Sequence, residues 1–76
     1  MALGYYLIST RPQKEDEVYG KISNDEKMLE IYALFGEYDF IVKLEGKDHN
    51  EISRYVEEYI RKINGVKGTK ALLCKK

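Results

Sequence analysis

The sequence predicts a small α+β domain in which strands and helices follow the order β-α-β-β-α-β. Three observations lead to this prediction. An apolar and aromatic run begins at Tyr5, two alternating segments meet at Gly36-Glu37, and one apolar stripe with helical spacing extends from Ile52 to Ile63. The 76 residues are short enough to form a single domain over positions 1–76.

The first strand is predicted at Tyr5 to Arg11, because both of its faces are apolar, as in a central strand. Pro12 ends this strand, since proline fixes φ and has no amide donor. A short helix then covers Lys14 to about Asn24, where Val18 and Ile22 are spaced four residues apart on one face.

A hairpin is predicted in the middle of the chain. Its first strand covers Met28 to Phe35, and its return strand covers Tyr38 to Glu45. The tight turn between them is Gly36-Glu37, in which Gly36 supplies a positive φ. One face of the first strand is expected to enter the core through Leu29, Ile31, Ala33 and Phe35, and the other carries Met28, Glu30, Tyr32 and Leu34.

The second helix is predicted to begin after Asp48, an N-cap residue, with Glu51 three positions later as in a capping box. It runs to about Asn64, and Gly65 follows as the C′ residue. A last strand is predicted from Val66 to Cys74, before the terminal Lys75-Lys76.

Right-handed crossovers convert this order into a ferredoxin-like fold, with an antiparallel four-stranded sheet and both helices on one face. The other face is then too apolar for solvent, because it keeps Ile41, Tyr32, Leu34 and one of the pairs Tyr6/Ile8 and Tyr5/Leu7. We therefore predict that two sheets pack face to face in a symmetric dimer, an αβ sandwich or barrel. A partner would also stabilise a chain whose single Cys74 allows no internal disulfide.

Composition excludes several classes of function. The 13 basic and 13 acidic residues balance, which argues against independent binding to nucleic acid or to a membrane surface. The N-terminus lacks the features of a signal peptide, so we expect a cytoplasmic protein. His49 is the single histidine and has no nucleophile or Cys/His cluster near it in sequence, so we expect no enzyme, metal or cofactor. The charged fraction of 34% is typical of thermophiles.

Two segments carry a resemblance to a known family. From Met28 to Lys43, a strand ends in Gly36-Glu37-Tyr38-Asp39 before an apolar return strand, and the run from Ile63 to Leu73 contains Gly65-Val66 and Thr69. Together they resemble the ligand-binding (RAM) domain of Lrp/AsnC-type transcription regulators. The resemblance covers Tyr5 to Leu73 without the family's N-terminal helix-turn-helix, so the chain is similar to a stand-alone copy of that domain.

The resemblance implies dimers that can gather into rings, commonly octamers, with amino acids or related metabolites bound in clefts between dimers. Matching positions give the candidate ligand-binding residues Gly36, Glu37, Tyr38, Asp39, Thr69 and Ala71. Ala71 departs from the family, which usually has a second threonine there and thus one more hydroxyl for a ligand. Gln13 also replaces a glycine that commonly follows the proline.

Each candidate also has a plainer interpretation. The residues of Gly36-Glu37-Tyr38-Asp39 can serve turn formation alone, with Gly36 for φ and Asp39 for local backbone hydrogen bonds. The seven tyrosines favour amphipathic packing over base stacking, because no basic patch accompanies them.

Three functions remain open. The first is an amino-acid-sensing and oligomerising module for transcriptional regulation of amino-acid metabolism, without DNA binding of its own, which acts through a full-length Lrp/AsnC regulator. The second is a structural oligomer without a ligand. The third is a small enzyme of the dimeric α+β barrel type, for which the inward positions lack a polar cluster.

Overall fold

Six regular elements follow one another in the predicted order in the computed structural model, which describes residues 1–72. The predicted strand residues Leu73 and Cys74 and the Lys75-Lys76 end lie outside the described residues. The elements are β1 (Ala2–Thr10), α1 (Glu15–Ser23), β2 (Met28–Ala33), β3 (Phe40–Gly46), α2 (His49–Glu58) and β4 (Val66–Leu72), with a 3-10 turn at Ile60–Lys62.

The strands form one antiparallel sheet in the order β2-β3-β1-β4, which confirms the predicted ferredoxin-like fold. β1 is central, as its apolar faces predict: Tyr6 is opposite Val42 of β3 on one side and Ala71 of β4 on the other. The strand begins at Ala2, earlier than predicted, because Ala2 pairs with Gly46 of β3.

Both helices pack on the same face of the sheet, and the hydrophobic core lies between them and the strands. Ile8 of β1 and Val42 of β3 point into this core. Tyr5 and Leu7 are therefore the pair on the open face, since side chains alternate along a strand. The buried core residues are Ile8, Val18, Ile22, Phe40, Val42, Leu44, Ile52, Val56, Ile60, Ile63 and Val66.

Local signals for the second helix act as predicted at its start. Asp48 is the N-cap, and its Oδ1 accepts a hydrogen bond of 2.8 Å from the backbone N–H of Glu51. The Glu51 carboxylate in turn accepts from the N–H of Lys47, one residue before the usual capping-box partner. The α-helix ends at Glu58, before the predicted end, and the 3-10 turn continues the apolar stripe as far as the buried Ile60.

Two turn positions outside the hairpin have positive φ. Gly65 has φ +105° but is not the predicted C′ residue, because α2 ends at Glu58 and the 3-10 turn is capped by Ile63. A Cβ at Gly65 would come within 2.9 Å of the Lys14 side chain. Gln13 has φ 65°, a value that favours glycine, which explains in physical terms why a glycine suits the position after Pro12.

The hairpin differs from its prediction in two ways. β2 ends at Ala33 and β3 begins at Phe40, so a loop of residues 34–39 replaces the predicted tight turn, and Phe35 is fully exposed instead of buried. A bulge between Met28 and Glu30 also leaves Leu29 half-exposed and turns Met28 onto the core. One extra residue reverses the alternation of side chains, which a strict period of two cannot predict.

Candidate functional site

The loop of residues 34–39 carries four of the six candidate ligand-binding residues. The backbone N–H of Leu34 donates to the Asp39 carbonyl at 2.8 Å and closes the loop. Gly36 has φ +118°, a backbone conformation that is strained for residues with a side chain, so glycine is strongly favoured there. Gly36 and Glu37 are exposed, whereas Tyr38 and Asp39 are half-buried at the loop's return to β3.

Asp39 fastens this loop to the end of β1. Its backbone N–H donates to the Ile8 carbonyl at 2.9 Å, and its carboxylate Oδ2 accepts from the N–H of Thr10 at 2.7 Å. The β1–β3 pairing ends at Ile8 opposite Phe40, so the buried Thr10 receives from Asp39 the acceptor that the sheet no longer supplies. This bond differs from the local hydrogen bonds of the turn-chemistry interpretation, because Thr10 is 29 positions away from Asp39 in sequence. The other carboxylate oxygen, Oδ1, has no hydrogen-bond partner within residues 1–72.

The side chain of Thr10 adds a polar group at the same end of the sheet. Its Oγ1 is buried and has no hydrogen-bond partner in the described part of the chain. Buried hydroxyls are nearly always satisfied in folded proteins, often by an ordered water, so this group needs a partner beyond the described side chains. The sequence offered no signal for Thr10, because its role depends on pairing with a residue far along the chain.

Thr69 and Ala71 lie on β4, two strands away from the loop. Thr69 is opposite Ile8, which is opposite Phe40, so Thr69 shares a cross-sheet row with the residue after Asp39. Adjacent strands are about 4.8 Å apart, which places the Cα of Thr69 roughly 10 Å from that of Phe40. A single chain thus brings the loop and Thr69 to one region of the sheet without direct contact between their strands.

Ala71 belongs to a different cavity. It lies with Tyr6 two rows further from the loop, at a cleft of about 690 Å³ beside the first turn of α2. The cleft is lined by Leu3, Gly4, Tyr5, Tyr6, His49, Asn50, Ile52, Ser53, Ala71 and Leu72. The candidate residues are therefore divided between two places on the monomer.

The open face of the sheet carries an apolar patch interrupted by charge. Its apolar part consists of Leu3, Tyr5 and Leu7 of β1, Tyr32 of β2, Ile41 of β3 and Leu72 of β4. Among them, the Lys43 Nζ lies 3.7 Å from Glu30 Oε2 and 5.9 Å from the centre of the Tyr5 ring. The Tyr32 hydroxyl donates to Glu30 Oε1 at 3.1 Å, and this bond to a carboxylate raises the Tyr32 pKa above its ordinary value.

The polar cluster on the open face had a signal in the sequence. Glu30 and Tyr32 alternate on β2, and Lys43 falls on the same face of β3 once the hairpin is folded. The predicted hairpin identified these faces, and its pairing runs unbroken from Ala33 opposite Phe40 to Glu30 opposite Lys43. The bulge near Leu29 shifts the register only beyond this pair.

Residues 1–72 contain neither a helix suited to cross a membrane nor a cluster of metal-binding side chains. None of the helices there is long and apolar enough to cross a membrane. No group of three or more His, Cys, Asp and Glu side chains in that range is arranged to hold a metal ion.

Known sequences give a consistent pattern of similarity. The family model of the Lrp/AsnC ligand binding domain matches residues 4–76. The HTH-type transcriptional regulator FL11 of Pyrococcus furiosus is 30% identical over 74 residues, which are 97% of this chain and 48% of the relative. This chain thus spans about half the length of that curated regulator. The homocitrate synthase of Sulfolobus acidocaldarius is 40% identical over 52 residues, or 67% of this chain and 11% of that enzyme.

Solved structures share the fold. The crystal structure of FFRP-DM1 superposes with a TM-score of 0.91 and 31% identity, covering 99% of this chain and 100% of the other. The transcriptional regulator NMB0573 of Neisseria meningitidis, crystallised in complex with L-Met, gives a TM-score of 0.83 at 21% identity over 97% of this chain and 49% of its own. With a family model over nearly its whole length and a relative of 30% identity, the chain belongs to the Lrp/AsnC ligand-binding domain family.

Proposed function

We propose that this domain senses an amino acid or a related metabolite and, as an oligomer, transmits its binding to transcriptional regulation of amino-acid metabolism. The observation that carries the proposal is the loop of residues 34–39, which Asp39 fastens to β1. In this proposal, Oδ1 of Asp39 binds an ammonium group, and backbone amides around Gly36, which has no side chain, bind a carboxylate. A relative of the same fold was crystallised with L-Met, which supports an amino acid as the ligand class.

A second copy of the chain completes the proposed site. Ala71 opens onto a different cleft from the loop within one monomer, so a ligand that contacts all the candidates needs residues of more than one chain. The open sheet face supplies the first contact between copies, since Tyr5, Leu7 and Ile41 have no helix over them. Dimers formed in this way then bring loops and β4 strands together in larger rings.

The proposed module has no DNA-binding role of its own. Its acidic and basic residues balance, whereas a domain that binds DNA by itself usually has an excess of Lys and Arg that contact the phosphates. Regulation would then pass through a full-length regulator of the same family that carries the helix-turn-helix and shares its oligomer. A gel shift of an operator by the pure domain at physiological salt would contradict this part of the proposal.

A thermal-shift screen of the twenty amino acids tests the sensing function. A ligand that binds only the folded state stabilises it by RT ln(1 + [L]/Kd), about 2.7 kcal/mol at a hundredfold excess over Kd. The matched variant is Thr69→Val, which keeps the shape of the side chain and removes the hydroxyl at half-buried Thr69. We expect at least one amino acid to raise the Tm of the wild type and to raise that of the variant less. A screen without any shift would favour a structural oligomer instead.

A second candidate is a regulatory domain that acts on a biosynthetic enzyme. The observation that favours it is the stretch of 52 residues shared at 40% identity with a homocitrate synthase. A ligand identified in the screen separates the two candidates. It should alter the DNA affinity of a co-assembled regulator in the first case, and the rate of a mixed synthase in the second.

A further inference from the structure

The polar cluster of Glu30, Tyr32 and Lys43 lies within the apolar open face of the sheet. Glu30 and Lys43 are opposite each other across the β2–β3 ladder, and Lys43 is in turn opposite Tyr5 on β1. The Lys43 side chain is 24% exposed already in the monomer, which is low for a lysine on an uncovered sheet. Beneath the cluster is a pit of about 70 Å³ lined by Tyr5, Glu30, Tyr32, Ile41, Val42 and Lys43.

Covering this cluster with a second sheet has an energetic cost. An exposed ion pair contributes at most about 1 kcal/mol, and its desolvation opposes binding. Leucine or isoleucine at the two positions would bury more easily. A charged pair in a contact face therefore favours selectivity more than affinity, since like charges across an interface exclude the wrong partner.

The charge pattern of the face fits another copy of itself. Glu45 is opposite Leu3 and Lys70 is opposite Leu7, so both share the open face with Glu30 and Lys43. Two carboxylates and two ammonium groups give that face no net charge. Sheets that pack face to face are about 10 Å apart, which is close to the Debye length at 0.1 M salt, so opposing charges in the dimer act on one another.

We propose that Glu30 and Lys43 select the partner of this face: it accepts a second copy of the chain, with its own acid–base pair, and rejects a sheet that carries two like charges at those positions. This inference rests on the face-to-face dimer of the proposed function. Tyr32 is a positioning residue here, because its hydroxyl holds the Glu30 carboxylate beside Lys43.

Two charge-reversal variants test the selection. Glu30→Lys places a cation at both of these positions, and Lys43→Glu places an anion at both. Each variant alone should dimerise about 10- to 100-fold more weakly than the wild type in sedimentation equilibrium, and 1 M salt should recover much of the loss. An equimolar mixture of the two variants should form a heterodimer of near wild-type affinity. A purely intramolecular role for the ion pair predicts no such recovery on mixing and would overturn the inference.

Further variants keep the test decisive. Arg61→Glu changes an exposed charge on the helical side and should leave dimerisation unchanged. If circular dichroism shows that both reversals fail to fold, the double variant Glu30→Gln/Lys43→Met replaces them. This uncharged variant should bind the wild type and a second copy of itself with equal affinity. A difference between these two affinities would count against the inference. Leu7→Asp separates the two proposals: if it leaves the dimer intact, the face-to-face dimer itself is wrong. If it breaks the dimer while the charge reversals do not, only the selection is wrong.

Discussion

Replacing Asp39 with alanine removes the acceptor that holds the loop of residues 34–39 to β1. The Thr10 amide then loses its 2.7 Å hydrogen bond to a carboxylate, at a residue only 8% exposed. Hydrogen bonds to charged groups contribute about 1.5–3 kcal/mol to stability, and the free energy of unfolding should fall by about that amount. For a domain of this length, the Tm falls by about 4–8 °C per kcal/mol.

Urea unfolding followed by circular dichroism measures this loss. Wild type and variant are compared at one chain concentration, because association adds to apparent stability. Asp39→Asn is the matched control: its amide oxygen still accepts from Thr10, so it should lose markedly less stability than Asp39→Ala. The reasoning is refuted if Asp39→Ala unfolds at the wild-type urea midpoint, or if the asparagine variant is as unstable as the alanine variant.

The same pair of variants separates folding from ligand binding at this residue. We expect Asp39→Ala to abolish ligand binding while the dimer persists, since the open face lies apart from the loop. Asp39→Asn keeps the loop in place but lacks the charge that binds an ammonium group, so it should fold well and bind poorly. Calorimetry that shows unchanged ligand affinity in both variants would remove Asp39 from the proposed site.

Three further substitutions give measurable outcomes. Gly20→Ala should raise the free energy of unfolding by up to about 1 kcal/mol, since its Cβ meets no atom within 4 Å in a helix. A Cβ at Gly36 also meets no atom within 4 Å, but φ is +118° there, so Gly36→Ala should lower the free energy of unfolding by at least about 1 kcal/mol. Equal urea midpoints for the two variants would contradict both predictions. Burial, followed by the Asp25 carboxylate, raises the pKa of the Tyr55 hydroxyl above the ordinary value of 10.0. The folded state therefore binds this proton more tightly than the unfolded state, and the resulting stability, complete below pH 10, decreases as the pH rises above 10. Tyr55→Phe should reduce the fall in stability between about pH 9 and 11 in urea titrations.

The order of elements was predictable because each element carries its own local period. Most of the stripe from Ile52 to Ile63 persists as buried core residues in α2, in the 3-10 turn and at its C-cap, and the apolar β1 segment is the central strand. Caps were predictable for the same reason, since Asp48 acts on an amide only three residues away. Local chemistry thus predicted the start of this helix better than its end, where a 3-10 turn with buried Ile60 follows the α-helix.

The hairpin was harder to predict because distant contacts shape it. The sequence from Leu29 to Phe35 alternates well enough for an unbroken strand. In the structure, however, a bulge at Leu29 shifts the strand pairing and the loop of residues 34–39 ends the strand at Ala33. Asp39 accepts from Leu34 at the end of β2, and it also bonds Ile8 and Thr10 of β1, which are distant in sequence. No window of neighbouring residues contains that information.

This same contact limits what the candidate site can do in one chain. One carboxylate oxygen of Asp39 already accepts from Thr10, and the exposed Glu37 has no neighbouring cation within the loop. Thr69 lies two strands away in the row of Phe40, and Ala71 opens onto another cleft. A ligand that reaches both the loop and the cleft at Ala71 needs a second chain that brings its own β4 or loop to this one. Ligand binding and assembly should therefore depend on each other, and the amino acid that raises the Tm should also raise the mean oligomer size.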